Sequence, residues 1–599
     1  MQTKIGARIV LCALVGSMLG ASVRAGTLTV LSVSPARHAR TAPALTPISI
    51  TFDRAVNPSS VNSSSFKVYG RWSGPVSGAY SYSNGNTTMT LTPNRRFSAG
   101  EMVLVVLSDD LVAADSSPIR EAGYSYLFWV RSRPANMVFS NVETLSNRTP
   151  PDFENTRIYG TAGIDLDADG WLDLASVNED SSDVRVFMHT GNSTMPYGDD
   201  LAPFPTSHQA SPNEAADFNN DGKPDFTVAA VTTSSVWVML GIGDGTFQPP
   251  GQEISVGSSP HGIAVLDADG DGDLDIATAN TGGGNISLIL NNGSGVFGSA
   301  TSFEGGCGSE YALGAGDMNN DGITDLVVGC IGSQQVVAHL GTGNGTFTAG
   351  AAFSAGGNIW MLALGDMNGD GNLDVASANS SSNVGAIIRG NGAGGFLAPT
   401  TVAAASNPIA TDVGDLDGDG DLDWVLSHFS AATWRTYKNN GTGTMTFDQT
   451  ISADSAASCA IIMDFDNDHD MDLVLSDELA DLIDIERNGN IALMGDFDND
   501  GDVAADDATD FAACYGGPGV PYGAGCFAAD FDGDGDVDCE DHTGFEGAWT
   551  EAGNAPALEA CQAQVPAINE WGLISLALLV AAVGTTILRR RSAPVVSAS

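Results

Sequence analysis

Five carboxylates, Asp267, Asp269, Asp271, Asp273 and Asp275, fall within the nine-residue stretch DADGDGDLD. Charges this close repel one another in water, and an acidic run of this kind is ordinarily a solvated segment. Here it lies between the apolar runs GIAVL and IATAN, which demand burial. Alternate positions of a tight loop can turn their oxygens toward one centre, so a bound hard cation is the other way to relieve the repulsion.

The stretch recurs. DLDADGWLD starts at Asp165, DFNNDGKPD at Asp217, DMNNDGITD at Asp317, DMNGDGNLD at Asp366, DLDGDGDLD at Asp415 and DFDNDHDMD at Asp464. Successive starts are 52, 50, 50, 49, 49 and 49 residues apart. Positions 1, 3, 5 and 9 supply the candidate ligands. In the first three loops these are Asp165, Asp167, Asp169, Asp173; Asp217, Asn219, Asp221, Asp225; and Asp267, Asp269, Asp271, Asp275. In the next four they are Asp317, Asn319, Asp321, Asp325; Asp366, Asn368, Asp370, Asp374; Asp415, Asp417, Asp419, Asp423; and Asp464, Asp466, Asp468, Asp472. Position 6 is glycine, which supplies the positive φ of a sharp bend, except at His469. Calcium takes about six to eight hard oxygens in flexible geometry, zinc prefers His and Cys, and magnesium demands a tighter octahedron. The expected cofactor is calcium in a structural role, with the position 7 carbonyl as a further ligand. His469 makes the Asp464 loop the weakest expected site, or an empty one, and Asn219 and Asn319 lower the charge of theirs, for weaker binding than at the Asp269 loop.

A period near fifty residues signals a repeat architecture. Each period has a short apolar run before the loop, a second after it (LDIATAN, TDLVVGC) and a third after a turn (ISLILNN). A Gly-rich turn ending in Phe (GSGVF, GNGTF) and a more polar strand complete it. Four short strands per unit is the plan of a propeller blade; a stacked β-solenoid is the alternative. The seventh period is cut short, because the next acidic loop starts at Asp496, 32 residues past Asp464. The segment NMVFSNVETLS (136–146) is expected to supply the missing outer strand and join the two ends of the ring. These repeats resemble the FG-GAP (VCBS-type) repeats of integrin-α-like seven-bladed propellers. The resemblance implies a toroid with calcium in the loop between each blade's first two strands.

The flanks read as separate modules. Residues 26–133 contain short alternating strands such as PISITFDRAV, SFKVYG and EMVLVVLSDDL, the pattern of a sandwich. They are similar to bacterial Ig-like domains of the S-layer type. After the ring, DFDNDGDVAADD (496–507) and DFDGDGDVDCED (530–541) are twelve-residue loops with an acidic last position. Their candidate ligands are Asp496, Asp498, Asp500, Asp502, Asp507, Asp530, Asp532, Asp534, Asp536 and Asp541. This is EF-hand-like spacing with Asp in place of the final Glu. Phe511 and Tyr515, and likewise Phe545 and Trp549, set one apolar stripe on each following helix. The duplicated loop–helix looks like a dockerin type I module, which implies a cohesin-like partner, although the insertion CYGGPGVPYGAGC departs from that compact pattern.

The N-terminal 25 residues have early positive charge, an apolar middle and a small-residue end at Ala25, the form of a secretory signal. Near the other end, WGLISLALLVAAVGTTIL (571–588) is followed by Arg589, Arg590 and Arg591, which fits a short membrane span with a cytoplasmic basic tail. The stretch VPAINEWGLISLALLVAAVGTTILRRR resembles PEP-CTERM-like (IPTL-type) sorting tails, which implies recognition by a membrane sorting protease. Export permits disulfides. Cys307 and Cys330 lie in one repeat; Cys514, Cys526, Cys539 and Cys561 cluster near the C-terminus; a Cys514–Cys526 bridge would close the insertion, and Cys459 is left over.

The expected fold is thus mainly β. Its parts are a signal peptide (1–25), an Ig-like sandwich (26–133), a seven-bladed propeller (134–493), a small α-helical dockerin-like module (494–549), a linker with sorting motif (550–570), a transmembrane helix (571–588) and a basic tail (589–599). With 73 Asp and Glu against 24 Lys and Arg, the formal charge of -49 argues against a nucleic-acid partner. No HExxH or GxSxG occurs, and the eight His are scattered singly. The reading is therefore a secreted or surface-displayed binding protein, not an enzyme, with a polysaccharide or a surface protein as partner. The alternatives are an extracellular polysaccharide-degrading hydrolase or lyase, and a purely structural envelope protein.

Overall fold

The computed structural model describes residues 26–148, 155–192, 195–206 and 210–489, with parts of 495–561 that include 507–518 and 536–549. The segments read as signal peptide and membrane helix lie outside the described residues, as do Asp496, Asp498, Asp500, Asp502, Asp532 and Asp534. Among the described residues no helix is long and apolar enough to cross a membrane.

Each period folds into one antiparallel sheet, and there are seven. In the third, Pro260–Leu266, Asp275–Asn280, Asn285–Ile289 and Thr301–Glu304 pair in sequence order. The second strand is buried along its whole length in every sheet, as in Asp275–Asn280. It has neighbouring sheets on both faces, so its sequence is a continuous small apolar run with no alternation. The fourth strand is mostly exposed, and its sequence is correspondingly polar.

The first strands of the seven sheets are Ile158–Ile164, Ala210–Ala216, Pro260–Leu266, Glu310–Gly316, Ile359–Gly365, Pro408–Gly414 and Ala457–Met463. Each packs against the next, and the seventh packs back against the first, so the contacts run round a closed cycle. The seventh sheet lacks a fourth strand of its own. Phe139–Ser146 fills that place, pairing antiparallel with Leu482–Asn488 from Phe139 opposite Asn488 to Ser146 opposite Leu482. The expected joining strand is therefore present.

Ahead of the ring stand two four-stranded sheets. One pairs Val30–Ser34, Ile48–Phe52, Thr88–Pro93 and Gly78–Ser83; the other pairs Gly74–Pro75, Phe66–Gly70, Met102–Leu107 and Tyr124–Trp129. In Ile48–Phe52 the buried residues alternate with half-buried ones, as in a strand with one face on a core. Ile50, Phe52, Phe66, Val105 and Phe128 meet between the sheets.

Beyond the ring lie two short helices, α1 (Asp507–Cys514) and α2 (Cys539–Ala548). Phe511 stacks on Phe545 at 4.6 Å, and Trp549 meets Phe545 edge-on at 5.8 Å, so the two stripes do pack together. Disulfides join Cys307 to Cys330, Cys514 to Cys526 and Cys539 to Cys561; Cys459 is free and partly buried.

Candidate metal centres

All seven acidic loops join the first strand of a sheet to its second and share one hydrogen-bond scheme. The position 1 carboxylate accepts the N–H of residue 6: Gly170 to Asp165 at 3.2 Å, Gly322 to Asp317 at 2.7 Å, and so on to His469 and Asp464 at 3.1 Å. The position 5 carboxylate accepts the N–H of residue 7 in every loop. Residue 6 has positive φ throughout, including His469 at 72°. Position 4 does too (Ala168, Asn220, Gly270, Asn320, Gly369, Gly418 and Asn467), a second left-handed residue per loop that the sequence reading did not identify. Gly, Asn and an occasional Ala at that position were the signal.

The position 9 aspartate does more than was expected of it. Asp374 is fully buried; one oxygen accepts the N–H of Met367 at 3.1 Å and the other that of Gly390 at 2.8 Å. The same two bonds recur at Asp173, Asp225, Asp275, Asp325, Asp423 and Asp472. Each of these aspartates staples the start of its loop to the end of the third strand.

Oxygens converge to within 4.8 Å in Asp165, Asp167 and Asp173; in Asp267, Asp269 and Asp271; in Asp415, Asp417 and Asp423; and in Asp464, Asp466 and Asp472. Near α2, Asp536 and Asp541 converge with Asp538, which the sequence reading left out. Asp507 and Asp541 lie buried in the first turns of α1 and α2, where they accept the N–H groups of Ala504 and Asp538. Loops with Asn at position 3 differ. The amides of Asn219, Asn319 and Asn368 each donate to the neighbouring position 5 carboxylate and so partly satisfy it from within.

A hard cation fits the carboxylate-rich loops. Asp269 Oδ1, Asp415 Oδ1, Asp464 Oδ1 and Asp466 Oδ1 are buried without a hydrogen-bond partner, which is costly for a carboxylate. Burial pushes Asp267, Asp374 and Asp415 up to about 7 and Asp423 up to about 8, and lifts Asp275, Asp464 and Asp472 well above the ordinary carboxylate value. A divalent ion supplies the charge that keeps such groups ionised.

The Asp464 loop has a built-in cation as well. Arg487 Nε lies 2.7 Å from Asp466 Oδ2, with both side chains buried, and the guanidinium sits over the Phe465 ring at 5.7 Å. Lys438 stands in the equivalent place in the sixth sheet, 3.5 Å from Asp417.

The Ig-like module lies across these loops. Arg95 pairs with Asp165 at 3.0 Å, Lys67 with Asp273 at 2.7 Å, and Arg40 with Asp421 at 3.0 Å. Arg37 and Arg120 donate to the carbonyls of Asn320 and Asp321, His38 Nδ1 lies 2.9 Å from the Gly371 carbonyl, and the Arg133 N–H donates to the His469 carbonyl. Six of the seven loops are reached by hydrogen bonds; the second, through Asp217 and Asn220, lines a cavity of about 220 Å³ with Lys67 and Tyr69. Arg71 reaches Asp412 on the inner strand of the sixth sheet at 3.0 Å. None of these basic residues was singled out from the sequence, although ten of the 24 Lys and Arg fall within 26–133.

Comparison with known proteins agrees with this organisation. Five overlapping segments, 165–228, 217–278, 267–328, 317–377 and 366–426, match the FG-GAP-like repeat. Residues 25–128 match the bacterial Ig-like domain. No curated protein matches the chain. Among solved structures, the chain is similar to BBS1N in complex with ARL6DN (12% identity, 61% of this chain and 99% of that one, TM-score 0.42). It is also similar to an Agrocybe aegerita protein that recognises non-reducing terminal N-acetylglucosamine (16% identity, 66% and 93%, TM-score 0.34). A third is an auxiliary nutrient binding protein from Bacteroides ovatus (10% identity, 78% and 98%, TM-score 0.32). The chain thus carries tandem FG-GAP-like repeats behind one bacterial Ig-like domain.

Proposed function

We propose that this protein is an extracellular seven-bladed β-propeller, stiffened by calcium, that binds a polysaccharide or a surface protein. The observation that carries the reading is the set of buried loop oxygens without donors in the third, sixth and seventh loops, within sheets that contact one another in a closed cycle. Calcium bound there would neutralise carboxylates that otherwise repel. Asp165, Asp167 and Asp173 would hold it in the first blade, the corresponding residues in the sixth and seventh, and Asp267, Asp269 and Asp271 in the third. The loop then clasps two strands, and the staple from position 9 carries the same restraint to the third. Extracellular calcium is abundant enough for sites of modest affinity.

The module at 494–549 is read as dockerin-like, with a cohesin-like domain as its partner, and the tail as a sorting signal. Cleavage there would give a mature mass lacking the residues after about 570. The central test is calcium titration by calorimetry with thermal unfolding, in calcium and in chelator. Each site filled at about a hundredfold over its Kd adds about 2.7 kcal/mol of stability. Identical melting in the two conditions would sink the calcium reading.

A further inference from the structure

We infer that the mouth of the ring opposite the Ig-like module is a binding site for a neutral saccharide. The inference rests on the binding-module reading above and gives it a place and a ligand class.

Every sheet carries a β-bulge near the start of its first strand. In the first sheet Ile158 pairs with Asn178 and Gly160 with Val177, which leaves Tyr159 as the extra residue. The extra residue is His261 in the third sheet, Tyr311 in the fourth and Trp360 in the fifth. It is Ile409 in the sixth and Ser458 in the seventh. A bulge re-aims the side chain of its extra residue, and bulges concentrate at functional sites. The acidic loops leave from the other end of these same strands, where the Ig-like module covers them. The bulges therefore gather their extra residues at the end that module leaves open.

Four of those residues carry rings, and the rings meet. His261 stacks on Tyr311 at 4.3 Å with an interplanar angle of 13°, and Tyr311 lies 4.7 Å from Trp360 at 48°. The hydroxyls of Tyr159 and Tyr311 approach to 3.5 Å from sheets far apart in the cycle. Tyr159, His261 and Trp360 remain partly exposed, while Tyr311 is 6% exposed. Beside them Arg157 bridges Glu179 at 3.0 Å and Glu478 at 2.9 Å.

His261 and Tyr311 cover one another's inner faces, so the partly exposed Tyr159, His261 and Trp360 are the rings with surface left to offer, an open platform and not a box. A box of rings would suit a quaternary ammonium; a platform suits the C–H face of a sugar ring. The adjoining guanidinium and carboxylates offer donors and acceptors to its hydroxyls. A formal charge of -49 turns away anionic polymers, so the saccharide is neutral.

The test is calorimetry of the full chain in calcium with cellohexaose, mannohexaose and N-acetylchitohexaose. At least one is expected to bind, and Trp360→Ala and Tyr311→Ala should each weaken it about tenfold or more. Phe447→Ala, on the exposed outer strand of the sixth sheet, should change affinity less than about twofold. Unchanged calcium-dependent melting controls for folding of the variants. In the wild-type chain, bound saccharide should also protect Trp360 from oxidation by N-bromosuccinimide, read by peptide mass. Binding of none of the three, or binding that survives both alanine variants without protection of Trp360, overturns the site. An intact calcium response in that case leaves the calcium-stiffened ring standing; saccharide binding with no calcium response would remove the calcium reading alone.

Discussion

Asp374→Ala is the sharpest test of how the ring is held. The carboxylate is fully buried, and its two oxygens accept the N–H groups of Met367 and Gly390 at 3.1 and 2.8 Å. Alanine leaves both donors in a dry site where water does not replace the acceptor. Each unsatisfied buried donor costs about 1–3 kcal/mol, so the expected loss is about 2–6 kcal/mol. That is a large part of the stability of an ordinary domain, about 5–15 kcal/mol. Asp374→Asn should fall short of this, because a carboxamide keeps one acceptor but sets an NH2 against the other donor. The assay is urea unfolding followed by tryptophan fluorescence, in calcium and in chelator. The two staple bonds exist without an ion, so the loss should persist in chelator. A loss below about 1 kcal/mol in both conditions would refute the staple; a loss confined to calcium would make Asp374 a ligand and nothing more.

Two further outcomes are expected. Arg487→Ala strands the buried Asp466 carboxylate and should cost about 3–5 kcal/mol in chelator, with calcium recovering part of the loss in urea unfolding. Replacing Cys307 and Cys330 together by serine opens a loop with a separation of 23 residues, and denaturation should show about 3 kcal/mol less stability.

Much of this was legible because a fifty-residue period repeats its errors and its rules alike. Seven copies of one loop fixed the direction of every sheet, and one short period pointed to Phe139–Ser146 as the strand that completes the seventh. The stripes at Phe511 and Phe545 gave the helix pair in the same way. What stayed hidden depends on distance or on small breaks in pattern. Arg95 and Asp165 lie 70 residues apart and Lys67 and Asp273 lie 206 apart, and no local spacing couples such pairs. The bulge at Tyr311 displaces one residue in a short apolar strand, where alternation is too brief to show the slip. Arg487 near the end of a strand draws no local notice either, because its partner Asp466 lies 21 residues back, inside the acidic loop. The expectation that the Asp464 loop is the weakest site rested on His469, which does adopt the positive φ; Arg487 now gives that loop a separate means of offsetting its charge.

The strand Phe139–Ser146 also sets how the protein would respond to a pull. Phe139 lies opposite Asn488, so the chain enters and leaves the seventh sheet at the same edge. Tension between the two ends of the chain would peel this pair apart one hydrogen bond at a time, the weak direction for a sheet, instead of shearing all of them together. The load has another route first. Arg131 holds Asp530 at 2.7 Å, and Arg96 donates to the Phe531 carbonyl at 3.3 Å, so the module after the ring is tied to the one before it. On a surface exposed to flow, that bridge acts as a fuse in front of the zipper, and the ring opens only after it has given way.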